Sequence, residues 1–169
     1  KYYTGPSAAL REQGVQTTIY GNWLNKSPER IDPAELLAQT PNVAFGPRLA
    51  YKDIFKVLNE SITVTHITKP AYTPYGNITG RFFEAIKSNV PALVPVEFKH
   101  AIPVGLSDGT LLVESTEDVV KKVKWISTLS ASERKTLVDA QEAALRTVID
   151  PSPQYRVSLI EHLIGDWNG

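Results

Sequence analysis

Between Gly80 and Pro95 the chain reads GRFFEAIKSNVPALVP, and this stretch restricts the fold more than any other. Ile78, Phe82, Ala85, Ile86 and Asn89 recur at helical spacing and define one core-facing side of a helix. Asn77 is suited to cap that helix, and Gly76 to turn the chain into it. Pro91 bars continuation past Ser88-Asn89. Ala92-Leu93-Val94 then follows with no polar residue in alternation. A strand apolar on both faces needs cover on both faces, the condition of an interior strand in a parallel sheet. Arg81, Glu84 and Ser88 share the flank of the helix, where one cation and one carboxylate can meet the same ligand. The same two residues also read as a solvated i,i+3 ion pair.

The alternation of strand and helix extends along the chain. Tyr2-Tyr3-Thr4 is strand-like, and a short helix over Ala8–Gln13 is closed by Gly14. Val15–Tyr20 is a strand ended by Gly21-Asn22, and Asn25–Asp32 is a polar loop. Pro33–Gln39 reads as a helix with proline in its first turn. The strand Asn42–Gly46, the helix Tyr51–Leu58 and the strand Ser61–Ile67 follow. Lys69–Gly76 is a loop stiffened by Pro70 and Pro74 and carrying Tyr72 and Tyr75. Beyond Val94, residues 96–100 and 105–109 read as irregular, and Thr110–Val113 as the last strand. Helices are expected over Thr116–Ser127, with Thr116 as its cap, over Ser130–Ile149 and over Gln154–Ile164. Lys121, Lys122 and Lys124 read as a solvated helix face. The predicted class is α/β, a Rossmann-like parallel sheet flanked by helices. Such open sheets bind ligands outside the carboxyl ends of their strands, which points to Tyr20, Gly21 and Asn22.

Composition removes several other functions. The 169 residues make one domain, 1–169, large enough for a real core. Eighteen Lys and Arg balance eighteen Asp and Glu, without the basic excess usual in a free-standing nucleic-acid binder. No cysteine is present, so disulfides, thiolate zinc sites and thiol nucleophiles are excluded. His66, His100 and His162 lack ligand spacing, and no metal site is expected from them. With no membrane-spanning run and no signal peptide, a soluble cytoplasmic protein is expected. Starting at Lys1-Tyr2-Tyr3, without methionine and on what reads as a strand end, the chain is expected to be a fragment of a longer two-domain polypeptide.

The run FFEAIKSNVPALVP resembles the donor-site helix and strand of GT-B glycosyltransferases, in their C-terminal nucleotide-sugar-binding domain. Its closest likeness is to the phage DNA β-glucosyltransferases, which also carry an Arg three residues before the helix Glu. The resemblance runs from Tyr3 to about Ile149 and is sharpest between Arg81 and Pro91. It implies the C-terminal half of a GT-B fold, with Glu84 on the ribose hydroxyls and Arg81 on the diphosphate of a UDP-sugar, UDP-glucose being one candidate. It also places Arg11 and the helix start at Ser7 near the phosphates. Where those enzymes have a second arginine earlier in that loop, this chain has Pro6-Ser7-Ala8. Tyr20 and Gly21 fall near the base, with Pro47, Arg48 and Leu49 lining its pocket. Tyr72 matches the aromatic of the loop before the helix, although its spacing to Arg81 differs by one residue and Tyr75 stays open. For Arg11 and Arg48, plain solvent-facing charge is the competing reading.

What this implies is transfer of a sugar to an acceptor, a modified base in phage DNA being one. The general base, the acceptor site and any DNA contact would belong to the absent N-terminal GT-B domain, and this chain alone would be inactive. The last helix would lean on that domain. A GT-B enzyme with a non-DNA acceptor, and a non-catalytic nucleotide-binding α/β module, remain the alternatives. Donor sugar, acceptor and metal dependence are left open.

Overall fold

The computed structural model describes Tyr2, residues 4–21, Glu35, residues 38–66, Gly76 and residues 78–149. Its elements are α1 (Ser7–Glu12), β1 (Thr17–Tyr20), β2 (Val43–Gly46), α2 (Tyr51–Asn59), β3 (Val64–Thr65), α3 (Gly80–Lys87), β4 (Ala92–Pro95), α4 (Ala101–Val104), β5 (Leu112–Val113), α5 (Thr116–Thr128) and α6 (Ala131–Ile149). Every strand pairing is parallel. The described strands form two sheets, β1-β2 and β3-β4-β5.

β4 organises the packing, as its composition requires. Ala92, Leu93 and Val94 are all fully buried. Their alternation sends Ala92 and Val94 into one core, with Phe82 and Ile86 of α3, Val104 of α4, and Val138 and Leu145 of α6. Leu93 enters a second core on the opposite face, with Leu10 of α1 and Val119, Val123 and Ile126 of α5. Helices therefore cover both faces of the strand, the α/β layering expected of a Rossmann-like domain. Full burial of a side chain such as Phe82 contributes about 1.5–3 kcal/mol relative to leaving it exposed. A third cluster joins Ile54 and Leu58 of α2 to Ala85 of α3 and Val90.

One polar side chain lies inside this packing. Gln141 of α6 is fully buried. Its Oε1 accepts from the Ala92 amide at 3.0 Å, while its Nε2 donates to the carbonyls of Ala92 and Val104, each at 2.8 Å. The side-chain amide thus satisfies backbone groups of β4 and α4 that burial would otherwise leave orphaned.

Several expectations are corrected. α3 starts at Gly80 with Thr79 as N-cap, whereas Asn77 lies outside the described residues. Asn89 does not face the core: it is exposed, with φ 55°, a left-handed turn that asparagine tolerates better than most residues. It ends α3 as the Val90 amide bonds back to Ala85 O at 3.0 Å. The cap of α5 is Ser115, not Thr116, and its hydroxyl accepts from the Asp118 amide at 3.1 Å. Ser130 and Glu133 form a reciprocal capping box at the start of α6. α4 was not expected, because it is one turn long and contains Pro103. Proline is tolerated there, since first-turn amides have no helical partner.

Lys122 is also not part of a purely solvated face. Its ammonium donates to the carbonyls of Gly109 at 2.8 Å and Thr110 at 2.9 Å, fastening the loop ahead of β5. Of the expected Pro33–Gln39 helix, Glu35, Ala38 and Gln39 are described and are helical. The expected Gln154–Ile164 helix lies outside the described residues.

Candidate functional site

At the exit ends of β1 and β2, Tyr20 stands opposite Gly46 in register. The Gly21 amide donates to Gly46 O at 3.3 Å and closes this end. Tyr20 is 41% exposed. A Cβ on residue 46 would lie 2.4 Å from ring carbons Cδ1 and Cε1 of Tyr20, so only glycine lets the ring settle there. Pro47 and Arg48, which follow, are exposed.

Leu49 joins this end to the next helix. Its half-buried side chain packs into the cluster holding Ile54, Leu58, Ala85 and Val90. Ala85 is the neighbour of Glu84, so Leu49 ties the β2 exit to the helix that carries the acidic residue.

On α3, the Arg81 guanidinium donates to the Glu84 carboxylate, Nη1 to Oε2, at 2.5 Å. The two partners differ in environment: the Arg81 side chain is 65% exposed and that of Glu84 14%. A guanidinium this exposed can move away from its partner at little cost. One turn beyond Glu84, the Ser88 hydroxyl is buried with no hydrogen-bond partner among the described residues. The three residues thus share one flank of α3, with Arg81 exposed and Glu84 and Ser88 half-buried.

The other expected site residues are placed as follows. Arg11 donates through Nη1 to Pro41 O at 3.3 Å. Pro41 precedes β2, so this contact lies at the leading end of the strand, opposite the end where Tyr20 stands. The α1 start is held by the Ser7 hydroxyl donating to Thr4 O at 2.7 Å. Tyr72, Tyr75 and Asn22 lie outside the described residues. Among the described residues no cluster of three His, Cys, Asp or Glu is arranged to hold a metal ion, and no helix is long and apolar enough to cross a membrane.

Two features at the exits of β3 and β4 were missed. His66, just after β3, is 4% exposed, and among the described residues neither ring nitrogen has a hydrogen-bond partner. Its ring meets Phe82 edge-on at 5.2 Å and Phe98 at 4.9 Å. Burial pushes its pKa down to about 4. Next along, His100 packs on Phe98 at 5.9 Å. A Cβ on Gly76 would fall 2.4 Å from His100 Nε2, and Gly76 has φ 70°, so glycine is required there twice over. The available signal was positional: both histidines come after strands, β3 and β4, on the carboxyl-end side where such sheets bind ligands.

A family model described as glycosyl transferase-like matches residues 7–162, nearly the whole chain. No curated protein and no solved structure is similar enough to match.

Proposed function

The chain belongs to the glycosyl transferase-like family, and from that premise we propose that it binds the nucleotide-sugar donor, a UDP-sugar, along the exit ends of its parallel strands. The observation that carries this reading is the Arg81–Glu84 pair: a Glu84 side chain 14% exposed, bonded to an Arg81 side chain 65% exposed, on the helix that follows β3. In the donor complex the ribose hydroxyls would donate to Glu84, and Arg81 would swing to the diphosphate. Glu84 orients the donor. Arg81 neutralises charge that builds on the leaving diphosphate, an electrostatic contribution to the transition state. Tyr20, settled against Gly46, offers an aromatic surface to the base.

In this proposal the chain is the donor half of a GT-B enzyme. The general base and the acceptor belong to a companion domain, and a base in DNA is the first acceptor to try. Arg11 is assigned to fastening α1 to the segment before β2, as its bond to Pro41 supports.

Titrating wild type and Arg81→Ala with UDP and with uridine tests the assignment. UDP affinity should fall more than uridine affinity, because only UDP carries the diphosphate. The difference should shrink with added salt. Equal losses for both ligands would make Arg81 a support of the helix and withdraw its phosphate role.

A further inference from the structure

We propose that His66 is a positioning residue, whose neutral ring is a wedge that couples α3 to the turn after β4. The inference rests on the nucleotide-binding reading above, since α3 is the helix assigned to the donor. Three observations carry it. The ring lies between Phe82, next to Arg81 on α3, and Phe98 in the turn after β4. Phe98 carries the contact onward to His100, whose imidazole lies against Gly76 ahead of α3. Neither nitrogen of His66 is bonded among the described residues, so within this packing the ring acts through its shape.

The wedge therefore meets α3 through Phe82 and the turn after β4 through Phe98. Moving α3 relative to the β4 exit would disturb the His66 contacts with Phe82 and Phe98. The first turn of α3 has no side-chain cap, so it depends on such packing for its placement. The turn after β4 is held from its other side by the Tyr2 phenol, which donates to the Glu97 carboxylate at 2.6 Å.

The test compares His66→Ala, which removes the wedge, with His66→Leu, which refills most of its volume without polar atoms. UDP affinity and amide hydrogen exchange are measured for wild type and each variant of the full chain. His66→Ala should weaken UDP roughly three- to thirtyfold. It should also speed exchange at Arg81–Phe82 and at Phe98–His100 together. His66→Leu should restore affinity and exchange protection while unfolding at a higher temperature than wild type. A leucine variant as weak as alanine in UDP binding, though well folded, would show that the nitrogens matter and overturn the wedge. Exchange rising in only one of the two segments would overturn the coupling. If wild type binds no UDP, the donor reading fails, and the exchange pattern still decides the coupling.

Discussion

His66 shows at the scale of one residue what burial without a partner does. Desolvation favours the uncharged ring, so the folded chain binds the proton more weakly than the unfolded chain, with a pKa of about 4 against 6.5. The sign follows from linkage: the unfolded state binds more protons between these values, so stability falls as pH drops. The full contribution is present above pH 6.5 and is lost progressively down to pH 4. The shift corresponds to about 3 kcal/mol. Urea unfolding of wild type and His66→Leu at pH 7 and pH 4.5 should show a smaller loss in the variant. An identical loss in both would assign the acid sensitivity to other groups. The sequence displayed this histidine at the end of an alternating strand, but no spacing rule could show that two phenylalanines close over it from Phe82 and Phe98. Ring contacts between residues remote in sequence are a property of packing.

At the scale of elements, α3 and β4 were legible because each is set by its own residues. Phe82, Ala85 and Ile86 give the helix its buried side, and the unbroken apolar run of β4 requires two covered faces. The Arg81–Glu84 contact was legible for the same reason, since i,i+3 spacing is local. What was illegible depends on partners distant in sequence. β3 pairs over only Val64 and Thr65, although its alternating pattern runs longer. Lys122 was read as solvated because the carbonyls of Gly109 and Thr110 come to it only in the folded chain. Gln141 is the strongest case, a polar residue fully buried on α6 and bonded to three backbone groups. Gln141→Leu keeps the volume and leaves an amide and two carbonyls buried without partners. With each orphaned group costing about 1–3 kcal/mol, stability should drop by about 3 kcal/mol or more. The urea midpoint should fall with the slope unchanged. An unchanged midpoint would mean that water or a rearranged backbone satisfies those groups.

For the whole molecule, the covered parallel strands and family membership place the chain among glycosyltransferase-like domains. The donor site we propose would draw on separate elements: Tyr20 and Gly21 at the exits of β1 and β2, Leu49 packed beside Ala85, and Arg81 with Glu84 on α3. Strand exits pointed to Tyr20 and Gly21, helical spacing to Arg81 and Glu84, and the family resemblance to Leu49. Sequence could not indicate that Arg11 would fasten to Pro41 at the leading end of β2, because that bond joins residues 30 apart in the chain. The central claim is that Glu84 holds the ribose of a nucleotide donor. Calorimetric titration of UDP into wild type and Glu84→Gln tests it most directly. Charge-assisted hydrogen bonds contribute about 1.5–3 kcal/mol each, so the substitution should weaken UDP roughly ten- to a hundredfold. Thermal unfolding should change little, since the lost ion pair is partly exposed. Unaltered UDP affinity in a folded Glu84→Gln chain would contradict the claim and remove Glu84 from the site.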